Sequence, residues 1–425
     1  MSTELQALGI GVSTPYAAAN VPTDADCVVI GNALSRGNPE VEAVLDRRQR
    51  MTSLPALLAS EFLYPRRPLV VAGTHGKTTT TSLLAFLLRD AGLDPSFLVG
   101  GVPRDLGRSF HLGGGEHFVI EGDEYDSAFF DKRPKFVHYL PELAIVGNVE
   151  FDHADIYPDL DAVQRAFLRL FSVIPRKGTL VAGIESPALA EILEKAPCPV
   201  TSFAIEAEAD YRAEEVRRTG EMTEFRLVVR GQDQGIFTLS LPGEHNVRNA
   251  LAALAAARWA GVPLSRVKAA LPRFRGVKRR LELLGEARGV RLYDDFAHHP
   301  TAVRETLRAL LQSKRKRVVA IFEPRSYTSR TRVFEDAFAR AFVLADLVVV
   351  AGAFRPEKVP EGERLSELSL VEAIGELGGR ALFLPRIDDI VSTLERALGE
   401  GDDVVLLSNG GFGGIGPKLL TALGG

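Results

Sequence analysis

Val70-Val-Ala-Gly-Thr-His-Gly-Lys-Thr-Thr-Thr80 is the stretch on which the reading of this chain turns. An apolar strand runs into a glycine-containing turn, and the Lys-Thr pair behind the turn opens a helix. Gly73 and Gly76 let backbone N–H groups come close to phosphate oxygens, and the helix start adds a favourable dipole. Lys77 can reach β and γ phosphates, and the Thr78 hydroxyl can ligate Mg²⁺. The loop is shorter than the general P-loop pattern, because Val71 and not glycine stands five positions before Gly76. The alternative is a strand-to-helix turn that merely carries Lys and Thr.

Two further strands end in chemistry. Phe118-Val-Ile-Glu-Gly-Asp-Glu-Tyr-Asp126 places Glu121, Asp123, Glu124 and Asp126 at or just beyond a strand end. Such a density of carboxylates is costly without a cation, and beside phosphates it suits Mg²⁺, which shares its octahedron between carboxylate, phosphate and water. Glu121, first after the apolar run, is the preferred metal ligand; a solvated acidic loop is the alternative, most of all for Glu124 or Asp126 taken singly. Leu143-Ala-Ile-Val leads into Gly147-Asn-Val-Glu-Phe-Asp-His153 and puts Asn148 and His153 at a third strand end. Ligands of open α/β sheets sit at the carboxyl ends of strands, so the three ends are expected to converge on one crevice if the strands are parallel neighbours. His153 then serves a second Mg²⁺ or is a structural histidine.

Farther along, Pro242-Gly-Glu-His-Asn-Val-Arg-Asn249 opens an Ala-rich helix with polar side chains that could hold a nucleoside edge. Leu292-Tyr-Asp-Asp-Phe-Ala-His-His-Pro300 pairs acids with histidines, but it lacks the third and fourth ligands of a zinc site. Leu407-Ser-Asn-Gly-Gly-Phe-Gly-Gly-Ile-Gly416 is a Gly-rich loop before the last helix, able to receive an anion or simply to turn.

Around these motifs, short apolar runs alternate with amphipathic stretches, which argues an α/β fold of parallel sheets flanked by helices. The prolines of Tyr64-Pro-Arg-Arg-Pro68 and the basic Pro/Gly segment Leu271–Arg280 mark two boundaries. They divide the chain into a small N-terminal piece, residues 1–66, a central domain, 67–277, and a C-terminal domain, 278–425. The N-terminal piece shows a helix over Thr3–Leu8 and one buried strand, Cys27–Ile30, without a Gly-rich turn before it; it is expected to be a partial dinucleotide-type domain. The charge-dense stretch from Glu206 to Gly235 is expected to form a β-meander on the central sheet, and the basic run Lys314–Arg317 to be a solvated segment.

Composition bounds the rest. Of 425 residues 46% are hydrophobic and 25% charged, the usage of a globular protein and not of a disordered or fibrous one. With 51 Lys plus Arg against 55 Asp plus Glu, the net charge of −4 offers no field for nucleic acid. Two distant cysteines suggest neither a disulfide framework nor a thiolate zinc site, as in a reducing cytoplasm. No apolar run approaches the roughly 18 residues that span a bilayer, and the N-terminus lacks the basic and apolar regions of a secretory signal.

Taken in order, Gly73–Thr80, Glu121–Asp126, Asn148–His153, Gly243–Asn249, Arg279-Arg-Leu-Glu282 and Tyr293–Pro300 resemble the Mur ligase family over nearly the whole chain. The resemblance implies a P-loop-type central domain, a Rossmann-like C-terminal domain and a truncated Rossmann-like N-terminal domain. It also implies ATP-dependent amide synthesis with Mg²⁺: a carboxylate takes the γ-phosphoryl group, the acyl phosphate is attacked by an amine, and ADP and phosphate leave. Lys77, Glu121, His153 and His298 would then be catalytic, with Thr78, Glu121 and His153 on metal. Gly73 to Thr79, His245, Asn246 and Asn249 would hold the nucleotide, joined from the C-terminal domain by Arg280 and Asp295. Asn148, Arg325, Ser326 and Asn409 would contact substrate.

Within the family, Ile30-Gly-Asn-Ala through Arg36-Gly-Asn-Pro39, Ala128-Phe-Phe-Asp-Lys-Arg133, Phe136-Val-His-Tyr139, Glu323-Pro-Arg-Ser326 and Ser408–Ile415 look like one subgroup. Its members join UDP-N-acetylmuramate to the recovered murein tripeptide L-alanyl-γ-D-glutamyl-meso-diaminopimelate in cell-wall recycling. Two alternatives remain: a sister ligase that adds free L-alanine to the same UDP-sugar, and a nonenzymatic UDP-sugar sensor. Some members carry a carbamate-modified lysine beyond the metal-binding histidine, and Gln164–Leu170 contains no lysine. The first strand and Gly-rich turn, which in relatives help bind the UDP pyrophosphate, are also missing from the N-terminal piece.

Overall fold

The structure is a computed structural model that describes residues 5–6, 8–313 and 315–424. Thr3, Glu4 and Ala7 of the expected first helix, and Lys314 at the head of the basic run, lie outside the described residues.

The central element is a ten-stranded sheet whose middle is built from parallel, fully buried strands. Strand Arg67–Ala72 lies between Leu143–Val146 on one side and His117–Glu121 on the other, with Val70 opposite both Ala144 and Ile120. The three chemistry-bearing strand ends are therefore adjacent and point the same way. Their near-continuous apolar sequences follow from burial on both faces. Helices Lys77–Asp90 and Glu244–Trp259 cover one face and Leu160–Ser172 the other. Glu244–Trp259 is Ala-rich because it is sunk between sheet and neighbouring helix, burying every residue from Ala250 to Ala257. Leu84 and Leu251, both fully buried in this layer, are positions where truncation to alanine costs about 2–5 kcal/mol.

The charge-dense stretch forms the expected antiparallel meander, Tyr211–Thr219, Met222–Val229 and Gln232–Leu239, at one edge of this sheet. Its strands alternate buried and exposed residues, so the charges face solvent while Phe225 and Phe237 stack inside.

A second sheet of six strands, in the order Glu282–Ala287, Val290–Asp295, Asp402–Leu407, Arg317–Phe322, Leu347–Val350 and Ala381–Phe383, is parallel after its first hairpin. Arg317 and Arg291 pair with the buried carboxylates of Asp402 and Asp403 and hold the start of strand Asp402–Leu407. The N-terminal piece carries a parallel pair, Val28–Ile30 with Met51–Ser53, joined through helix Pro39–Asp46. Met51–Ser53 escaped the sequence reading because Met-Thr-Ser is too short and too polar to register as a strand. No helix among the described residues is long and apolar enough to cross a membrane.

Candidate functional site

Helix Lys77–Asp90 begins at Gly76, whose φ of 81° is left-handed and whose position has no side chain to cap the first turn. The leading N–H groups are thus free of a capping side chain and open toward the loop, as an anion site requires. A Cβ on Gly76 would lie 2.3 Å from the Asn249 Oδ1. Glycine is what lets the loop and the start of helix Glu244–Trp259 meet. Asn148 fixes the loop from the neighbouring strand end: its Oδ1 accepts the His75 N–H at 2.8 Å, and its carbonyl accepts that of Thr74 at 3.0 Å.

Lys77 folds back over the turn. Its Nζ donates to the Gly73 carbonyl at 2.7 Å and to both Glu124 oxygens at 2.8 and 3.1 Å. Burial opposes the lysine's charge, yet the carboxylates of Glu124, Asp123 and Glu121 outweigh it and raise its pKa. Glu124, only 2% exposed, also lies 3.1 Å from His153 Nε2 and accepts the Tyr157 hydroxyl on its carbonyl. Burial pulls the His153 pKa down, but hydrogen bonding to Glu124 and the charge of Asp152 raise it overall.

The acidic strand end therefore divides into two donor sets. Glu121 accepts the Thr78 hydroxyl at 3.0 Å and the Gly100 N–H at 2.8 Å, whereas Asp123, Glu124 and His153 gather around a second point. The sequence favours Glu121 and His153 and leaves Glu124 open to a solvated alternative; in the structure Glu124 is buried and joins Lys77 to His153. Carboxylate and hydroxyl oxygens suit Mg²⁺, whereas imidazole suits softer divalent ions; Thr78 with Glu121 offers an all-oxygen pair that fits Mg²⁺, and Asp123, Glu124 and His153 offer a mixed set that could hold a second divalent ion.

The second sheet closes this crevice. Arg280 donates from Nη2 to the Thr78 hydroxyl at 3.3 Å, and its guanidinium rests 4.9 Å from the centre of the Phe296 ring. Asp295 accepts the N–H groups of Leu281 and Ala297 and so fixes the turns that carry Arg280 and His298; burial raises its pKa. The His298 Nδ1 faces the Phe296 carbonyl at 2.9 Å, which places the proton on Nδ1 and leaves Nε2 as an acceptor. Burial pushes the His298 pKa down to about 4, so the ring is neutral.

His75, Glu150 and His299, drawn from both sheets, meet beside the loop, with the two rings 4.6 Å apart. Burial works against the Glu150 charge, yet His75 beside it at 3.5 Å, and to a smaller extent the Thr301 hydroxyl that donates at 2.6 Å, bring its pKa down to about 2. Thr328 donates to the buried Asp152 at 2.7 Å. The Thr301–Glu150 and Thr328–Asp152 contacts between sheets span 151 and 176 residues of sequence, and no local spacing announces them.

One cleft of about 1750 Å³ is lined by Thr74 to Thr79, Glu121, Asn148, His153, His245, Asn246, Asn249, Arg280, Asp295, His298, Ser326 and Asn409. His245 is half-buried, with a buried and unpartnered Nδ1, and desolvation lowers its pKa to about 4. Asn246 and Asn249 hydrogen-bond each other at 3.2 Å. Ser326 caps the short helix Tyr327–Arg330. Gly73 lies beneath the loop as an acceptor for Lys77, and Arg325 lies in a smaller cavity that shares Asn409 with the cleft.

Residues 71–257 match the Mur ligase middle domain and residues 279–410 the Mur ligase glutamate ligase domain. The chain is 40% identical over 425 residues to UDP-N-acetylmuramate--L-alanyl-gamma-D-glutamyl-meso-2,6-diaminoheptandioate ligase of Escherichia coli, covering all of this chain and 90% of that protein. It is 36% identical over 414 residues to UDP-N-acetylmuramate--L-alanine ligase of Salinibacter ruber, covering 96% and 85%. The crystal structure of a murein peptide ligase from Psychrobacter arcticus superimposes with a TM-score of 0.72 at 37% identity, covering all of this chain and 91% of that one. The chain belongs to the Mur ligase family.

Proposed function

We propose that this protein is an ATP-dependent ligase that joins the carboxylate of UDP-N-acetylmuramate to the alanine amine of L-alanyl-γ-D-glutamyl-meso-diaminopimelate, in the cytoplasm and in the recycling of cell-wall peptides. The observation that carries the catalytic part is the pairing of Lys77 with Glu124 and of Thr78 with Glu121 at adjacent strand ends under an uncapped helix start. The likeness to the Escherichia coli and Psychrobacter proteins supports the tripeptide as acceptor over free alanine.

In this reading residues 67–277 bind the nucleotide, 278–425 close over it and bring the acceptor, and 1–66 meet the UDP-sugar. On ATP binding Lys77 leaves Glu124 for the terminal phosphates, aided by the first-turn N–H groups. Glu121 with Thr78, and Glu124 with His153, would hold Mg²⁺, which neutralises phosphate charge when bound. The sugar carboxylate attacks the γ phosphorus and the bond to the β-phosphate oxygen breaks, releasing ADP. The amine then attacks the acyl carbon, sheds a proton, and phosphate leaves. Arg280 lies where it can offset charge on the transferred group, and His298 Nε2 can accept an N–H of the incoming amine and orient it. The protein's contribution is positioning and charge stabilisation.

The test is phosphate release with MgATP and UDP-N-acetylmuramate against either tripeptide or L-alanine. Release should require all three reactants and favour the tripeptide; equal or better turnover of alanine would move the protein to the sister activity.

A further inference from the structure

Three metal-ligating side chains meet apart from the two donor sets of the acidic strand end. His75 belongs to the glycine turn, Glu150 follows strand Leu143–Val146, and His299 caps helix Pro300–Leu311 beside the second sheet. One donor atom from each lies within 4.8 Å of the others. His75 Nε2 stands 3.5 Å from a Glu150 oxygen, and it is buried without a hydrogen-bond partner. That spacing is what a shared ion asks for: two ligands at about 2.0–2.1 Å from a tetrahedral centre lie about 3.3–3.4 Å apart. Glu150, with its pKa near 2, is an anion, and His299, held down to about 4 by burial, is a neutral imidazole. These are the protonation states in which both groups bind metal.

The groups behind the three donors are placed to hold them. His299 Nε2 faces the Phe151 carbonyl at 3.2 Å, which puts the proton on Nε2 and the lone pair on Nδ1. Nδ1 takes only a long 3.3 Å contact from the Thr301 N–H, which a metal bond can replace. The Thr301 hydroxyl donates to Glu150 at 2.6 Å. A carbonyl behind an imidazole and a hydroxyl behind a carboxylate orient ligands and fix the tautomer. Phe334 stands edge-on to His299 at 5.1 Å and lies 5.7 Å from the Phe151 ring, which walls the cluster with apolar surface. Two imidazoles and a carboxylate suit zinc and poorly suit Mg²⁺. The Asp123, Glu124 and His153 set has one imidazole, and its Glu124 is tied to Lys77. We propose that His75, Glu150 and His299 form a binding site for a divalent ion of the zinc class, which bridges the two sheets and ties the nucleotide loop to the C-terminal domain in this closed arrangement. Water completes the fourth position. The site leaves the loop N–H groups free for phosphate, because the His75 ring leans away on His299 with centres 4.6 Å apart. The inference goes beyond the ligase reading and is independent of which acceptor that reaction uses.

The experiment counts zinc on the full chain. Metal-free wild type, His299→Gln, Glu150→Gln and His153→Gln are dialysed against zinc chloride at buffered free concentrations, with excess Mg²⁺ present to fill the all-oxygen pair, and bound zinc is measured by atomic absorption. The wild type should bind one zinc per chain that both His299→Gln and Glu150→Gln lose. Removing a direct ligand should weaken binding by more than the about 10- to 100-fold that loss of a supporting hydrogen bond costs. His153→Gln, altered in the other cluster, should keep this zinc. Zinc should also raise the melting temperature of the wild type and of His153→Gln by more than that of His299→Gln, since an ion that binds only the folded chain stabilises it. Glu150→Gln retains an oxygen for the Thr301 hydroxyl, so it decides the matter should His299→Gln, altered at a helix start, fail to fold. A wild type that binds no zinc, wild-type affinity in Glu150→Gln or in a folded His299→Gln, or a loss in His153→Gln as large as theirs overturns the site and leaves the ligase reading standing.

Discussion

Replacing Lys77 by methionine tests how the loop is held before any nucleotide arrives. In this structure the ammonium is 12% exposed, its partner carboxylate 2% exposed, and the two meet at 2.8 Å. Removing the cation leaves Glu124 buried with only His153 and the more distant groups to balance it. Breaking a buried pair from one side costs about 3–5 kcal/mol. The cleft admits water to Lys77, so the lower figure, about 3 kcal/mol, is expected here. At about 2–4 °C per kcal/mol for a domain of this size, the midpoint of the central unfolding transition should drop by about 6–12 °C. Glu124→Gln alone should also destabilise, because Lys77 then keeps only carbonyls as partners. The double variant Lys77→Met with Glu124→Gln removes both charges and should recover most of the loss, giving a coupling energy of about 2 kcal/mol. Catalysis should not recover: phosphate release should stay at least 100-fold below wild type in all three proteins, since each lacks a charge that faces the γ phosphate. Thermal unfolding without nucleotide, paired with a coupled phosphate assay, reads both quantities. Additive destabilisation in the double variant, or a Lys77→Met protein as stable as wild type, would show that the pair is not an energetic unit.

Other expectations follow from the same contacts. Glu121→Gln should raise the Mg²⁺ concentration for half-maximal rate by about tenfold while ATP affinity measured without metal changes little, because Glu121 touches Thr78 and not the loop; an unaltered Mg²⁺ titration would remove it from the metal set. Thr301→Val should lower stability by about 1–2 kcal/mol, since Glu150 loses its 2.6 Å donor across the two sheets, and chemical denaturation reads this directly. His245, His298 and His299 are each held near pKa 4 by burial. Between about pH 4 and 6.5 the unfolded chain binds protons that the folded one refuses, so these histidines make stability fall as pH drops through that window. Each contributes at most about 1.4 kcal/mol per pH unit. His245→Gln should flatten the slope measured from pH 6.5 to 5, and a slope unchanged in that variant would contradict a neutral, desolvated ring.

The fold was legible wherever local pattern and burial agree. The middles of strands Arg67–Ala72, His117–Glu121 and Leu143–Val146 are apolar because both faces are covered, and the polar residues at and just beyond their carboxyl ends mark the ligand edge. Glu124 could not be singled out from its cluster because it lies three residues past the strand end, where the backbone is irregular and spacing no longer tells direction. His75, Glu150 and His299 share no sequence neighbourhood, and their meeting depends on how the second sheet sits against the first.

The most direct measurement on the central claim is a crystal structure with a non-hydrolysable ATP analogue and Mg²⁺. The terminal phosphates should lie within hydrogen-bonding distance of Lys77 Nζ and the first-turn N–H groups, with metal at Thr78 and Glu121 and at Glu124 and His153, and Lys77 withdrawn from Glu124. An analogue bound elsewhere, with the Lys77–Glu124 pair still closed over the glycine turn, would contradict the account.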